Sequence, residues 1–394
     1  MRKPLLAGLS ALALIVTACS NGTPSATDRT TAATTPTTAT STAAAATSGD
    51  TASAGASSGA PAGGGGQSGA ADAGTVTITD MSGRQVTIPR NVKRILALHP
   101  IPTDLINILA PDKQVSVDMV FASRLKTAQP QYTAEQFQRL SALPVTGVFF
   151  KGLNTEQLVD LHPDVVIDLV TDPNVDKLQQ QLKIPFVAVS KAPTSSYEQT
   201  IRLLGTILGE QDRANQLADF WAGTISGVEA RTATVPDADR KRVIYVGQNG
   251  NLLATPGKNT VFGSTIDTAG GKNVADELTG AAATTEGNSV SMEQILSWDP
   301  EVVIAAGAEA KAKILADPKW KSVTAVKDGH VYSPRAFSGM DGLQAVLGMV
   351  WLQGVLLDGD SAAAQARVDQ VTQQYYKLFY GAELGAQYLA QQAK

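Results

Sequence analysis

The chain is poor in the residues that build disulfide frameworks and metal centres. Its 394 residues include one cysteine, Cys19, and three histidines, so no intramolecular disulfide can form and the fold depends on its apolar core. No cluster of histidine, cysteine or carboxylate residues has metal-ligand spacing. No P-loop or H-E-x-x-H motif occurs, and no G-x-S-x-G elbow stands between a predicted strand and a helix. The common classes of enzyme are therefore disfavoured.

Charge is not concentrated in one sign, and long apolar runs are missing. Lys and Arg number 32 against 36 Asp and Glu, so the sequence has no basic field of the kind that binds nucleic acid. After the N-terminal segment, no apolar run approaches the ~20 residues of a membrane-spanning helix. Beyond residue 75 the composition is that of a globular protein, and the chain is long enough to divide into two cores.

The first 75 residues have the pattern of export and tether segments. A basic start precedes an apolar run at residues 5–16, which ends in Val-Thr-Ala-Cys at 16–19. This tetrapeptide resembles the lipobox of bacterial lipoproteins. It predicts a signal peptide at 1–19, lipidation of Cys19 and anchoring on the extracytoplasmic face of the cell membrane; a buried free thiol is the alternative. Residues 20–75 are almost entirely Thr, Ala, Ser and Gly, which predicts a disordered tether.

One segment of the sequence occurs twice. Residues 156–167 (EQLVDLHPDVVI) recur as residues 293–304 (EQILSWDPEVVI). Each copy predicts a short helix that stops before a proline and leads into a β-branched strand covered on both faces. Asn154 and Ser291 precede the copies at the N-cap position. The repeat therefore predicts the same supersecondary unit in two similar halves.

Short apolar strands alternate with helical stretches, which predicts an α/β architecture of two lobes with central, mostly parallel sheets. Helical periodicity without proline at 212–231 predicts a single long helix that joins the lobes and limits their motion. The corresponding domains are an N-terminal lobe at 76–195, connecting helices at 196–235 and a C-terminal lobe at 236–394. The predicted strands are residues 94–98, 165–169, 186–189, 243–246 and 302–305, after a hairpin at 76–88.

Several segments resemble the class III substrate-binding proteins of ABC importers, which bind ferric siderophores, haem and cobalamin. They occur in a shared order over residues 76–383: TDMSG at 79–83, KRILAL at 93–98, GLNTE at 152–156, PDVVI at 163–167, AGGKN at 269–273, SVSME at 289–293 and AVKDGHVY at 325–332. The resemblance implies a bilobed clamp around one long helix, which binds its ligand in the cleft. It also implies a monomer without a resident cofactor that delivers the ligand to a permease dimer with a cytoplasmic ATPase.

The resemblance also implies a docking role for two acidic residues. In this family one surface glutamate on each lobe contacts arginines of the permease, and the matching positions here are Glu156 and Glu293. The simpler interpretation is local, because an acid in the first turn stabilises a helix by ~0.3–1 kcal/mol. The same residue at the same place in both copies favours docking.

Candidate ligand contacts lie in loops that follow the predicted strands, since open α/β lobes bind ligands at the carboxyl ends of their strands. His99 is a candidate polar contact, with direct metal ligation as the alternative. Phe149 and Phe150 form a candidate apolar wall, although adjacent aromatics also divide between core and surface. The cations in the set either pair with an anionic chelate or are solvated. The candidates are His99, Phe149, Phe150, Lys151, Gln248, Asn249, Lys258, Arg335 and Phe337, with Met119 and Arg124 as weaker ones.

These features together predict a lipid-anchored extracytoplasmic protein that captures a metal chelate for import, with a ferric siderophore as the first hypothesis. Haem, cobalamin and a molybdate-type oxyanion are alternatives within transport. A sensor module that uses the same fold is an alternative outside transport. A lipid-anchored enzyme has the least support.

Overall fold

The computed structural model describes most of the predicted globular part. Cys19, the predicted signal peptide and the predicted tether up to residue 73 lie outside the described residues, as do Arg335 and Phe337. The residues described are 74–125, 132–334, 339–381 and 384. They all belong to one compact unit, Gln67–Lys394. Within these ranges, none of the helices combines the length and the apolar character that a membrane crossing requires.

The five strands predicted from apolar runs all form, with ends within one residue of the prediction. Strand bounds in the described residues are β1 Thr75–Thr79, β2 Gln85–Pro89, β3 Ile95–Ala97, β4 Val117–Asp118, β5 Val145–Thr146, β6 Val165–Leu169, β7 Phe186–Val189, β8 Arg242–Val246, β9 Ala254–Thr255, β10 Lys272–Asn273, β11 Asn288–Ser289, β12 Val302–Ala305 and β13 Val331–Tyr332.

Helices occupy the intervals between these strands. Their bounds are α1 Pro100–Leu109, α2 Met119–Leu125, α3 Ala134–Ala142, α4 Thr155–Asp160, α5 Val175–Leu182, α6 Ser196–Leu208, α7 Gln211–Thr232, α8 Val261–Thr268, α9 Met292–Trp298, α10 Ala308–Ala316, α11 Thr324–Lys327, α12 Ala345–Asp358 and α13 Ala362–Phe379.

Two parallel sheets form the centres of the two lobes. The N-terminal lobe contains a three-stranded sheet of order β3-β6-β7, and the C-terminal lobe a four-stranded sheet of order β10-β8-β12-β13. Every neighbouring pair in both sheets is parallel. β1 and β2 pair as the predicted antiparallel hairpin. The predicted α/β class with two similar lobes is confirmed.

The two copies of the repeated segment occupy equivalent places in these two sheets. α4 leads into β6 in the N-terminal lobe, and α9 leads into β12 in the C-terminal lobe. The predicted cap side chains, Asn154 and Ser291, each accept hydrogen bonds from backbone N–H groups of the first turn. His162 and Asp299 precede the prolines and have positive φ angles of 45° and 40°. The helical path therefore ends at the same point in both copies.

The long helix predicted between the lobes is α7. Its 22 residues give a rod of about 33 Å at 1.5 Å per residue. One apolar stripe is buried and includes Leu217, Trp221 and Ile225. These side chains belong to a core cluster that also contains residues of β3, β6 and β8, so a continuous apolar core joins both lobes through α7.

The C-terminal helix α13 makes a second connection to the N-terminal lobe. The Tyr380 hydroxyl, just after α13, donates a hydrogen bond of 2.6 Å to Oδ2 of Asp104 in α1. Tyr132 also donates to this carboxylate, at 3.2 Å. Burial raises the pKa of Asp104 to about 6, against the opposing effect of these hydrogen bonds. The end of the described chain thus contacts α1, while the domain boundaries of the previous section stay predictions.

Candidate functional site

A cleft between the lobes contains two adjoining cavities. The first has a volume of about 810 Å³ and is bordered by loops from both lobes. Its lining residues are His99, Phe149, Phe150, Leu169, Val170, Thr171, Ser190, Lys191, Ala192, Asn259, Thr260, Thr284, Thr285 and Glu286. Most of the N-terminal-lobe members follow β3, β6 or β7, as the rule for carboxyl ends of parallel strands requires.

The second cavity has a volume of about 680 Å³ and lies mainly against the C-terminal lobe. Phe150 and Glu286 line both cavities and therefore stand at their common boundary. The lining residues are Arg124, Phe150, Tyr245, Gln248, Asn249, Phe262, Glu286, Gly287, Ala306, Gly307, Pro334, Gly339, Met340, Asp341 and Gln344.

A tight turn carries the two phenylalanines into the cleft. Backbone hydrogen bonds of 3.0 Å join Val148 and Lys151 in both directions across this turn. A Cβ atom at Gly147 would lie 2.2 Å from the carbonyl oxygen of Gly152, so the crossing chains require glycine there. The rings of Phe149 and Phe150 meet edge to face, with centroids 5.0 Å apart. Phe149 packs partly on the core and Phe150 is 62% exposed, and both rings line the first cavity.

His99 is the N-cap residue of α1. Its Nδ1 accepts a hydrogen bond from the backbone N–H of Ile101 at 3.3 Å. Burial lowers the pKa of His99 well below 6.5, and the positive charges of Lys191 and Arg124 lower it further. The ring is therefore neutral, and because Nδ1 is an acceptor the proton resides on Nε2. A protonated Nε2 is a donor, which favours the polar contact over metal ligation.

Two ion pairs cross the cleft, and both have the cation on the N-terminal lobe. Lys191 Nζ lies 2.5 Å from Glu286 Oε1, and Arg124 lies 3.0 Å from Asp341 Oδ2. The residue before Glu286, Thr285, accepts a backbone hydrogen bond of 2.9 Å from Gly257. At Gly257 a Cβ atom would lie 2.2 Å from the carbonyl oxygen of Ala282.

The cleft contains most of the predicted contacts that the structure describes, but not all of them. His99, Phe149, Phe150, Gln248 and Asn249 line the two cavities, as does the weaker candidate Arg124. Lys151 and Lys258 are exposed and are not among the lining residues. The charge of Lys258 instead lowers the pKa of Asp276, against the dominant effect of burial. Met119 lies beside the turn at Gly152 and is also not among the lining residues.

Three charged residues of the cleft, Lys191, Glu286 and Asp341, were not among the candidates predicted from the sequence. Lys191 follows β7, so the carboxyl-end rule that selected the other loops also applies to it. Glu286 and Asp341 lie in irregular loops after short elements, and no periodic pattern marks their positions. Within the described ranges, no group of three or more histidine, cysteine or acidic residues is placed to hold a metal ion.

The two repeat glutamates lie on the surface, outside this cleft. Glu156 in α4 and Glu293 in α9 are both exposed. Hydrogen bonds from its own backbone N–H and from Ser291 lower the pKa of Glu293. One turn further along each helix is an exposed apolar side chain, Val159 at 42% and Leu296 at 39%. Each copy thus presents an acidic and an apolar group at corresponding positions.

Comparison with known proteins identifies the family. The sequence profile of the family described as periplasmic binding protein matches residues 97–336, and the chain belongs to this family. Proteins of this family bind solutes outside the cytoplasm and work with the permease and ATPase of an ABC importer. The chain is thus an importer substrate-binding protein of the class that includes siderophore, cobalamin and molybdate binders.

Individual relatives bear names that point to different ligands. An uncharacterized ABC transporter substrate-binding lipoprotein of Bacillus subtilis, YvrC, is 26% identical over 65% of this chain and 77% of its own length. The molybdate-binding protein MolA of Haemophilus influenzae is 25% identical over 77% of this chain and 90% of its own. Its molybdate-bound structure superposes with a TM-score of 0.64 over 77% of this chain and 98% of that one, at 24% identity. The iron(3+)-hydroxamate-binding protein FhuD of B. subtilis is 25% identical over 46% of this chain and 58% of its own.

Proposed function

We propose that this protein captures a metal chelate, a ferric siderophore in the first instance, and delivers it to an ABC permease. The observation that carries the proposal is the size of the cleft. Its two cavities of about 810 and 680 Å³ adjoin at Phe150, and each falls in the range of sites that enclose a whole organic ligand. An oxyanion with four oxygens occupies only roughly 100 Å³ if each oxygen takes about the volume of a water molecule.

The lining of the cleft suits a chelate with an apolar body and polar edges. Phe150 presents an exposed ring between the cavities, and the rings of Tyr245 and Phe262 pack together at a tilt in the second cavity, with centroids 4.7 Å apart. Lys191 and Arg124 supply positive charge, and the neutral His99 supplies a donor. The partial similarity to a hydroxamate-binding relative is in line with this ligand class.

A molybdate-type oxyanion is the second candidate. Among the three relatives described above, MolA is aligned with this chain over the largest share of its length, 90%, and it is named as a molybdate-binding protein. Lys191 and the imidazole N–H donor of His99, which both line the first cavity, are groups that bind oxyanions. Haem and cobalamin remain further candidates within the same class.

The ligand is tested by tryptophan-fluorescence titration and native mass spectrometry of the folded protein. The panel is ferric trihydroxamate and tricatecholate chelates, haem, cobalamin and molybdate. We expect one ferric chelate to bind with a stoichiometry of one and at least about tenfold more tightly than molybdate. Tight binding of molybdate alone would replace the first candidate with the second.

We further propose that Glu156 and Glu293 dock the loaded protein on the permease. Their equivalent places in the two copies suit a partner that offers two similar surfaces, such as a permease dimer. Exposed charges of this kind contribute mainly to orientation and association rate. Docking separates an importer component from a sensor that only binds ligand.

We also propose that Cys19 carries the lipid anchor and that the protein acts on the extracytoplasmic face of the membrane. The support is the sequence of residues 16–19 and the relative YvrC, which is named as a lipoprotein. Replacement Cys19→Ala is expected to release the protein from the membrane fraction into the extracytoplasmic soluble fraction. Membrane retention of this variant at the wild-type level would contradict the anchor.

A further inference from the structure

In the first cavity, a carboxylate of one lobe meets a cation of the other. Glu286 Oε1 lies 2.5 Å from Lys191 Nζ, and the side chains are 38% and 24% exposed. A partly exposed ion pair contributes little to stability, because both groups keep part of their hydration. The Lys191–Glu286 pair therefore costs little free energy to open, and it lies in a cavity large enough for a ligand. A carboxylate of a ligand can take the place of the Glu286 carboxylate on Lys191.

His99 supplies a second donor in the same cavity. The residue is 8% exposed, and its Nδ1 is engaged by the backbone of α1. The ring is neutral, so Nε2 carries the proton, and no hydrogen-bond acceptor for Nε2 is found within the described ranges. Because the ring lines the cavity and Nε2 is not fully enclosed, an acceptor that binds in the cavity can receive its hydrogen bond. Its position beside a lysine favours an acceptor that carries negative charge.

We propose that His99 and Lys191 form an anion-binding subsite, and that the carboxylate of Glu286 engages Lys191 when no ligand is bound. The ligand class is a molecule with an anionic oxygen group, either a carboxylate of a metal chelate or a free oxyanion. The ligand group displaces Glu286 and receives hydrogen bonds from Lys191 Nζ and His99 Nε2. This inference depends on the proposed function only in that the cleft is taken as the ligand site.

The internal carboxylate lowers the apparent affinity for anions. A ligand that requires the open subsite binds with an affinity reduced by the fraction of time for which the subsite is open. If Glu286 engages Lys191 for about nine-tenths of the time, its removal tightens anion binding about tenfold. A neutral ligand that does not use the subsite is unaffected.

The test compares Glu286→Gln, Lys191→Gln, His99→Asn and the double variant Glu286→Gln with Lys191→Gln. Asparagine at position 99 keeps a side-chain acceptor for the N-terminus of α1 but lacks the imidazole donor. Glu309→Gln is the matched control, because it removes one acid from an exposed lysine partner outside the cleft. The probes are molybdate, ferric citrate and a neutral ferric trihydroxamate, titrated by calorimetry at constant ionic strength. The ring nitrogens of His99 are followed by NMR.

We expect Glu286→Gln to bind an anionic probe about tenfold more tightly, and Lys191→Gln and His99→Asn to bind it more weakly than wild type. Addition of the anion should shift the Nε2 resonance of His99. In the Lys191→Gln background, Glu286→Gln should have little effect, because no cation is left to release. Equal tightening in both backgrounds would show a general charge effect and overturn the proposal.

The probes distinguish a carboxylate of a chelate from a free oxyanion. They also test the anion subsite separately from the proposed metal-chelate function. A response to ferric citrate but not to molybdate assigns the subsite to a carboxylate of a chelate, and the reverse assigns it to an oxyanion. If neither anion binds to wild type or to Glu286→Gln, the subsite is wrong. The proposed function is judged separately by the ferric chelates that lack a free carboxylate, whose binding to wild type should be retained and should be equal in the Glu309→Gln control.

Discussion

The two lobes share a scaffold but present opposite chemistry to the cleft. In both, a fully buried Val-Val-Ile strand pairs in the same register with a neighbour, Ile95 with Val165 and Val243 with Val302. The residue directly before Ile95 and the residue directly before Val243 are both arginines, and each donates to a carbonyl oxygen at the end of the repeat helix. Arg94 reaches Leu161 at 2.7 Å, and Arg242 reaches Asp299 at 3.0 Å. The repeated sequence thus specifies a repeated set of contacts.

The cleft-facing loops do not repeat. The N-terminal lobe supplies Lys191 and Arg124, whereas the C-terminal lobe supplies Glu286 and Asp341. The difference shows that the scaffold and the binding surface are separable, since buried strands are constrained by packing while loops are free to vary. Replacements in the repeat should therefore affect docking and stability, and replacements in the loops should affect ligand binding.

The largest expected effect comes from reversing both repeat glutamates. Glu156→Arg with Glu293→Arg is expected to abolish uptake and to leave ligand affinity within about twofold of wild type, because both residues lie outside the cleft. Uptake of labelled ligand by cells and titration of the purified protein measure the two effects. Glu309→Arg is the control, since it also reverses an exposed first-turn glutamate in the C-terminal lobe. Normal uptake by the double variant would remove the docking assignment.

The second prediction concerns the position where the two central strands differ most. Asp168 in β6 is fully buried, and its counterpart in β12 is Ala305. Burial, together with a smaller effect of the adjacent carboxyl of Asp172, raises the pKa of Asp168 to about 8. The buried Oδ2 atoms of both residues lack a hydrogen-bond partner in the described structure. If Asp168 carries a proton and donates it in a hydrogen bond to Asp172, both Oδ2 atoms gain a hydrogen-bond partner.

Because the pKa of Asp168 is raised in the folded state, the stability of the protein is expected to fall as pH rises. Between about pH 4 and pH 8 the folded state retains the proton and the unfolded state does not. The contribution of Asp168 is complete below pH 4 and is lost as pH rises through 8, with a slope of at most about 1.4 kcal/mol per pH unit. Asp168→Asn should lose less stability than wild type between pH 5 and pH 8 in urea unfolding. Parallel curves for the two proteins would contradict the shifted pKa.

The third prediction compares the acids that hold the two sheets in register. Asp164 accepts hydrogen bonds from two backbone N–H groups, those of Lys93 and Arg94, at 2.7 and 2.9 Å. The corresponding Glu301 accepts one such bond, from Arg242 at 3.0 Å. Asp164→Ala should therefore lower the free energy of unfolding by about 2 kcal/mol and Glu301→Ala by about 1 kcal/mol. Equal losses of unfolding free energy for the two variants in urea titrations would contradict this prediction, because they would show that the number of backbone hydrogen bonds does not set the contribution of each acid.

The smallest expected effect is at the apolar residues beside the docking glutamates. Val159→Ser with Leu296→Ser should reduce uptake several-fold while ligand binding and stability stay close to wild type, because both side chains are exposed. Leu315→Ser is the control, since Leu315 is exposed to a similar degree, at 46%, but lies outside the repeat. An equal loss of uptake in the control would indicate that any exposed hydroxyl group added in place of an apolar side chain lowers uptake.

Much of the scaffold could be predicted because its patterns are local. The unalternating Val-Val-Ile runs indicated strands buried on both faces, and the prolines after His162 and Asp299 indicated where the preceding helices end. The apolar stripe of α7, without internal proline, indicated one long helix. Each of these inferences depends on residues that lie within a single helix or strand or directly beside it.

The cleft was predicted only in part, because its contacts depend on how loops fold. Reasoning from strand ends found His99, Phe150 and Gln248, which lie close to the last residues of their strands or on a tight turn. The same reasoning selected Lys151 and Lys258, whereas their neighbours Phe150 and Asn259 line the cavities. In a turn, adjacent side chains point in different directions, and the sequence does not specify which one faces the ligand.

The sequence alone determined the repeated unit, the parallel strands and the connecting helix, because spacing and side-chain type act over short distances. Tertiary structure decided which charges meet across the cleft. Lys191 and Glu286 are far apart in the chain, and so are Arg124 and Asp341. They come together because the long helix α7 and the continuous apolar core pack the two lobes against each other, and that packing involves residues from the whole length of the described chain.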